Sequence, residues 1–262
     1  MSGRNPERRM GIGEHVVELR RRLTRAALAI VLGVVAGWFV AGPVFTLLRD
    51  PVMAAARNQN RVIMMNFSSI SAAFDLRIEV ALIAGFVVSS PFWLYQVAAF
   101  IIPALNPRER RYIYGFTVTA LPLFVAGCAA GLWVMPHIVQ VMTGFAPAAT
   151  SSYLDADGYF DFVLKLTVVT GVAFIVPLLI VVLNMAGLVS GHTITRAWRW
   201  AVLAICLFTA LATPAADVMS MLLLAVPMLA LYLSACAVAL LNDKRRARRL
   251  EATLADPITT GS

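Results

Sequence analysis

The sequence predicts an all-α, polytopic membrane protein with six transmembrane helices. Of its 262 residues, 60% are hydrophobic and only 14% are charged, whereas soluble domains carry roughly 45–50% apolar and about 25% charged residues. No soluble core of this size could hide so much apolar surface. A membrane helix needs ~20 mostly apolar residues. Six stretches without Asp, Glu, Lys or Arg meet that need, at 26–48, 80–107, 112–154, 166–195, 200–216 and 218–242.

The stretch at 112–154 holds one span rather than two. Its second half, within 143–158, is rich in Thr, Ser, Ala, Pro, Gly and Asp, which is typical of a loop. Pro91, Pro122 and Pro177 lie inside spans and predict kinks, because each removes a backbone hydrogen bond. The six spans are expected at about 24–40, 77–100, 112–136, 159–188, 200–216 and 217–241.

Two pairs of glycines predict close contacts between helices. Gly33 and Gly37 lie in span 1, and Gly127 and Gly131 lie in span 3. Small residues four apart let two backbones approach closely within a membrane.

The segments beside the spans are expected to lie at the membrane surface. Residues 14–25 predict an amphipathic start to the first helix. Pro51 and the polar run 57–61 predict short helices and turns across 43–75. Spans 5 and 6 are short and share a tight turn at 213–217, which favours a locally thinned bilayer.

Charge asymmetry predicts that both termini face the cytoplasm. Six spans bring 1–25, 106–111, 192–199 and the tail after 242 to one side, with seventeen Lys and Arg in total. The opposite side has four in 43–77. Cytoplasmic loops carry such an excess, and it accounts for the net charge of +8 without a nucleic-acid partner.

The domain organisation follows from these spans. Residues 1–241 are expected to form one membrane domain, and 242–262 a basic cytoplasmic tail that is disordered. The sequence holds no nucleophile elbow, no HExxH motif and no phosphate loop. We therefore expect no enzyme, no cofactor and no metal site. The histidines and cysteines are dispersed over different segments: His15, His137, His192, Cys128, Cys206 and Cys236.

Glu18 and Glu109 are acidic residues set among arginines on the same predicted face. Glu18 can pair within its own helix with Arg21 or Arg22, and Glu109 can be an ordinary solvated loop residue. Alternatively, two carboxylates so placed can receive a pair of guanidinium groups from another chain, because arginine favours bidentate carboxylate contacts.

Three further ionisable residues lie near the opposite face. Asp161 and Lys165, four apart at the start of span 4, predict an ion pair along one helix face. Ionisable groups within a membrane are functional candidates, and a neutralised structural pair is an equal alternative here. Asp217 is expected to cap the start of span 6.

Four motifs carry a resemblance to a known family. They are HVVELRRRL at 15–23, SPFWLYQVAAFIIPALNPRERR at 90–111, YFDF at 159–162, and Thr213-Pro214 followed by Asp217. Over about residues 12–241 the chain resembles the TatC family, the multi-spanning subunit of the twin-arginine protein translocase. The resemblance implies a cupped bundle of kinked helices in the cell membrane.

The resemblance also implies a function. It indicates a receptor for the twin-arginine signal peptides of folded secretory proteins, with Glu18 and Glu109 at the positions that recognise the arginine pair. The family self-associates in larger complexes with single-span TatA- and TatB-like proteins, and the proton-motive force drives it without ATP hydrolysis. Arg20 and Phe100 are expected to contribute to binding. Further structural or functional positions are Pro51, Pro91, Tyr95, Gln96, Pro103, Asp161, Lys165 and Asp217.

The chain departs from the family pattern inside the membrane. Family members usually have Trp at the position of Ala98, and Glu or Gln at the position of Ile175. The polar residue in span 4 is thought to face the concave cavity. We therefore expect either a drier cavity or one whose polarity comes from Lys165, Thr167 or Thr170.

Two other classes of function predict features that the sequence does not offer. A secondary transporter for a small solute predicts a polar site at the membrane midplane and an inverted repeat, and the sequence offers neither. An intramembrane protease needs a reactive serine or an aspartate dyad within the spans, and Asp161 and Asp217 lack a paired motif.

Overall fold

The computed structural model describes residues 12–58, 64–66, 69–101, 110–144, 153–213 and 218–255. These ranges are almost entirely helical, which confirms the all-α class. The elements in chain order are α1 Ile12–Asn58, β1 Met64–Asn66, α2 Ala72–Val88, α3 Ser90–Ile101, α4 Arg110–Gly144, β2 Tyr153–Asp155, α5 Ala156–Met185, α6 Gly191–Arg196, α7 Trp198–Ala212 and α8 Val218–Ala255.

Four of the described helices are long and apolar enough to cross a membrane. Their candidate spans are Val16–Asp50, Tyr114–Ile138, Ala156–Met185 and Val218–Arg248. Helix α7 is apolar but has only 15 residues, which is about 22 Å at a rise of 1.5 Å per residue. It is therefore shorter than a ~30 Å hydrocarbon core, in line with the short fifth span expected from the sequence.

The segment predicted as span 2 is two helices rather than one kinked helix. Helix α2 ends at Val88 and α3 begins at Ser90, one residue before Pro91. The Ser89 hydroxyl donates to the Phe86 carbonyl, and the Trp93 indole donates to the same carbonyl at 3.0 Å. Pro91 thus coincides with a helix break, whereas α4 and α5 continue through Pro122 and Pro177.

Two stretches are more helical than we expected. Helix α1 continues through Pro51 to Asn58, where short helices and turns were expected. Long-range packing supports this extension, because Leu48 is buried and its carbonyl accepts a hydrogen bond from the Tyr159 hydroxyl of α5 at 3.1 Å. Helix α8 continues to Ala255 through the tail that was expected to be disordered. Strong helix formers dominate that segment.

A short pair of strands defines one end of the bundle. Strands β1 and β2 pair in parallel, with Met64 opposite Tyr153 and Asn66 opposite Asp155. We call this end of the bundle the strand end. The opposite end, which holds 16–25 of α1, the start of α4, α6 and 242–248 of α8, is called the basic end.

Glycines set the two closest helix contacts, as the sequence predicted. On α1, a Cβ added to Gly33 would lie 2.5 Å from the Gly85 carbonyl oxygen of α2. On α4, a Cβ added to Gly127 would lie 2.8 Å from the Gly171 Cα of α5. The Thr170 hydroxyl donates to the Gly127 carbonyl at 3.0 Å, which adds a hydrogen bond between α4 and α5.

Candidate functional site

Glu18 lies at the basic end, on the face of α1 that packs against the neighbouring helices. It lies two helical turns before Ala26, which is buried in a cluster with Leu94 of α3 and Phe116 of α4. Arg22, one turn after Glu18, donates from Nε to Glu18 Oε1 at 2.9 Å, and its Nη2 contacts the same oxygen. The ion pair within the helix, one of two alternatives raised from the sequence, is therefore present.

The second oxygen of this carboxylate has a different environment. Glu18 Oε2 is buried, and it accepts no hydrogen bond from the part of the chain that the structure describes. Arg22 engages only the other oxygen. The site therefore contains an ionised group with one buried acceptor left over.

The other arginines around Glu18 point to solvent. Arg20, Arg21 and Arg25 are exposed. Within 16–58 and the other described ranges, no carboxylate forms an ion pair with any of the three. Glu18 thus lies among exposed positively charged side chains.

Helix α3 brings more of the predicted positions to the same end. Tyr95 is partly exposed and lies 6.2 Å, between ring centroids, from Tyr114 of α4. Gln96 is half-buried, and its Oε1 is buried without a donor among the described residues. Phe100 is half-buried near the end of α3.

Glu109 and Pro103 lie outside the described residues. Helix α4 begins at Arg110, two turns before Phe116. Phe116 and Ala26 share one cluster, and Glu18 lies two turns before Ala26. The start of α4 and Glu18 are consequently at the same end of the bundle.

The ionisable residues near the strand end form a separate group. Lys165 pairs with Asp161 one turn away on α5, as the spacing predicted. Asp161 and Glu79 of α2 face the same polar cavity of about 470 Å³, which Asp75 and Asp157 also line. Asp217 lies outside the described residues.

Glu79 was missed from the sequence. It immediately precedes the uncharged stretch at 80–107, and it lies inside the predicted second span at 77–100 without having been singled out there. The signal that could have identified Glu79 is its position: it is an acidic residue directly beside an apolar stretch, in a segment that supplies a span.

An apolar groove of about 510 Å³ lies between α5, α7 and α8. Val172 and Val176 of α5, Phe208 of α7 and Met228 of α8 are among its lining residues. Tyr232 is the polar residue of the lining, and its hydroxyl donates to the Ile194 carbonyl at 2.8 Å. The groove therefore presents a hydrocarbon surface.

Ile175 does not face this groove. It is 5% exposed and packs in the cluster of Trp93 and Phe124. Thr167 is buried and donates to a carbonyl of its own helix, and the buried Thr170 hydroxyl shares its proton between the Leu166 carbonyl of its own helix and the Gly127 carbonyl of α4. Whether the concave cavity is dry or takes its polarity from Lys165 stays a prediction.

The described residues offer no group of three or more His, Cys, Asp or Glu side chains arranged to hold a metal ion. Cys128 and Cys236 are buried and Cys206 is half-buried, and none of the three forms a disulfide. The chemistry of the basic end is therefore that of carboxylate, amide and guanidinium groups.

Long apolar helices packed through glycines, with positive charge gathered at one end, define a multi-pass α-helical membrane protein. The chain belongs to the TatC family, since the family model described as Sec-independent protein translocase protein (TatC) matches residues 14–227. This confirms the resemblance found in the sequence motifs.

Individual relatives and solved structures agree with this membership. A Sec-independent protein translocase protein TatC of Xylanimonas cellulosilytica is 44% identical over 250 residues, which cover 95% of this chain and 91% of the relative. The chloroplastic TATC of Arabidopsis thaliana is 30% identical, covering 87% of this chain and 63% of the relative. A crystal structure of the twin arginine translocase receptor TatC in DDM matches with a TM-score of 0.75 and 28% identity, covering 86% of this chain and 99% of that one.

Proposed function

We propose that this chain is the signal-peptide receptor of a twin-arginine translocase, and that Glu18 and Glu109 bind the arginine pair. The buried Oε2 of Glu18, which lacks a donor among the described residues, is the observation that carries the proposal. A buried acceptor without a donor costs about 1–3 kcal/mol. A guanidinium from a peptide would supply the missing hydrogen bond and offset this cost.

Glu109 is the proposed partner for the second arginine. It immediately precedes α4, whose first turns lie at the same end as Glu18. Charge-assisted, bidentate contacts of arginine with carboxylates are roughly twice as strong as neutral hydrogen bonds. Two separated carboxylates would therefore select a pair of arginines over a single one.

The exposed arginines around Glu18 would add selectivity. Arg20, Arg21 and Arg25 create a positive field, which opposes the approach of any cationic segment. Only a peptide that forms direct contacts with both carboxylates overcomes this repulsion. Building repulsion against unwanted partners is a general route to specificity.

We also propose six spans in the cell membrane, with both termini in the cytoplasm. In this topology α2 and α3 together form one crossing and α7 forms a short one. The unpaired cations of the basic end then face the cytoplasm, as the positive-inside rule requires. A membrane-impermeant thiol reagent tests this arrangement on Ser190→Cys and Asn66→Cys variants. Labelling of Ser190→Cys in intact cells would contradict it.

The remaining parts of the proposal concern transport. The apolar groove of α5, α7 and α8 would hold the hydrophobic part of the signal peptide or a single-span TatA- or TatB-like helix. Several copies of the chain would assemble with such partners, and the proton-motive force would drive transport. Adding a proton ionophore to membrane vesicles should stop export while the nucleotide concentration stays unchanged.

Peptide binding tests the receptor assignment. A fluorescent twin-arginine peptide and its twin-lysine counterpart are titrated onto the purified protein in a neutral detergent. Glu18→Gln and Glu109→Gln should each raise the Kd for the twin-arginine peptide by about tenfold or more, because each removes a charge-assisted contact worth ~1.5–3 kcal/mol.

Glu251→Gln is the matched control, because Glu251 is an exposed acid on α8. It should leave the Kd within about twofold of the parent. The receptor assignment is wrong if Glu18→Gln and Glu109→Gln both bind the peptide as tightly as the parent does.

A further inference from the structure

A second charged cleft lies at the basic end, away from Glu18. It has a volume of about 300 Å³ and separates the turn after α5 from the extension of α8. Its lining includes Asn184 at the end of α5, Gly187 in the turn that follows, Ser190 before α6, and Asp243 and Arg246 of α8.

The one carboxylate in the cleft is already committed to internal hydrogen bonds. Asp243 Oδ1 accepts from Asn184 Nδ2 at 2.9 Å, and Oδ2 accepts from the Gly191 amide at 2.6 Å. Asn184 is 1% exposed and also accepts from Asn242 Nδ2 at 3.0 Å. This network ties α8 to the α5–α6 turn and uses both oxygens of Asp243.

Arg246 is the remaining charged group of the cleft. Its guanidinium lies against Gly187, where a Cβ would sit 2.7 Å from Nη1. Gly187 has φ 78°, in the left-handed region that favours glycine. Among the described carboxylates, none forms an ion pair with Arg246. The cleft therefore presents an exposed arginine in its lining.

The cleft lies where a helix end meets the membrane boundary. The candidate span of α5 ends at Met185 and that of α8 ends at Arg248. Trp198 and Trp200 are exposed at the start of the neighbouring α7, and tryptophan is enriched at membrane–water boundaries. At this depth the abundant anions are the phosphates of lipid headgroups.

We propose that this cleft binds the phosphate of an anionic phospholipid through the Arg246 guanidinium. Arginine presents donors in a fork that matches two phosphate oxygens, and Ser190 offers a hydroxyl beside it. Exposed Lys244 and Arg245 strengthen the attraction of an anionic headgroup over a zwitterionic one. Basic pockets between membrane helices are known to bind such headgroups.

Ligand-induced stabilisation of the full chain tests the proposal. Thermal unfolding is followed in a neutral detergent with dioctanoyl phosphatidylglycerol, with dioctanoyl phosphatidylcholine and with inorganic phosphate. Stabilisation by a ligand that binds the native state reports its Kd. The anionic lipid should stabilise the parent, and the other two probes should not do so at the same concentration.

Arg246→Gln should raise the Kd for phosphatidylglycerol by about tenfold. Arg248→Gln is the matched control, because Arg248 is exposed on the same helix and does not line the cleft, and its effect should stay within about twofold. Arg246→Lys keeps the positive charge but lacks the forked donors of the guanidinium. Arg246→Lys is used instead of Arg246→Gln if Arg246→Gln does not fold. The proposal is overturned if Arg246 and Arg248 variants lose affinity equally, or if inorganic phosphate stabilises the parent as strongly as the lipid.

Discussion

Replacing Gly85 by alanine is expected to separate α1 from α2. A Cβ at this position would lie 2.4 Å from the Val34 nitrogen and 2.6 Å from the Gly33 carbonyl carbon. Both are backbone atoms of α1, so no side-chain rotation relieves the clash. Ordinary contact begins at 3.4 Å, and the difference of 3.4 − 2.4, about 1 Å, is the displacement that the two helices must make.

The energetic cost follows from the packing on both sides of Gly85. Gly33 and Gly37 approach α2 equally closely, so a displacement of ~1 Å loosens the whole crossing. Overpacked core positions typically lose about 1–3 kcal/mol. This loss exceeds the roughly 0.8–1.0 kcal/mol that alanine gains over glycine in a helix, so the net effect is destabilising.

Thermal unfolding of the purified protein in detergent measures this loss. At about 2–4 °C per kcal/mol for a chain of this size, Gly85→Ala should lower the midpoint by several degrees. Gly42→Ala is the matched control on α1, because a Cβ there would meet nothing within 4 Å. Its midpoint should be unchanged or slightly higher. Equal midpoints for the two variants would refute the reasoning.

Two smaller perturbations test other features of the bundle. Thr170→Val removes the hydrogen bond to the Gly127 carbonyl and should cost about 0.6 kcal/mol, the average for hydrogen bonds between membrane helices. A loss above 2 kcal/mol in denaturant unfolding would mean that packing, not this bond, is disturbed. At 16–25 the four arginines and Glu18 sum to +3. Raising the salt from ~0.01 to ~0.1 M should therefore speed association of a twin-arginine peptide in neutral detergent, since the Debye length falls from about 30 to about 10 Å. Stopped-flow rates that fall with salt would contradict this.

The features that the sequence predicted well are local ones. The apolar stretches locate the helices because a membrane helix must carry a continuous apolar surface. The pairing of Asp161 with Lys165 follows from a spacing of four on one helix. Pro91 interrupts the ladder of backbone hydrogen bonds in its own segment. None of these inferences requires knowledge of a neighbouring helix.

The features that were missed depend on contacts between distant segments. Helix α1 passes through Pro51 because α5 packs against it, with Tyr159 bonded to Leu48. The pairing of β1 with β2 joins two loops almost ninety positions apart, 64–66 and 153–155. Glu79 gained significance only when α2 brought it into the cavity that Asp161 of α5 also lines. Single-segment patterns carry no information about such encounters.

The candidate receptor site falls between these cases. The pairing of Glu18 with Arg22 was one of two readings of the charge pattern, and four-residue spacing was enough to raise it. The orphaned Oε2 could not be foreseen, since it depends on how α1 packs against its neighbours. The role of Glu109 stays a prediction, because this residue lies outside the described ranges.

The way α1 is held bears on how a receptor at its end would work. This single helix is fixed near the basic end by the cluster of Ala26, in its middle by the contact of Gly33 with Gly85, and near the strand end by Leu48. Moving Glu18 as part of a rigid helix would break all three attachments. Peptide binding should therefore proceed by exchange of side-chain partners on a preformed helix, which avoids the cost of ordering a flexible segment. Any signal to the rest of the protein would then have to pass through other elements that the peptide touches, rather than through a shift of α1.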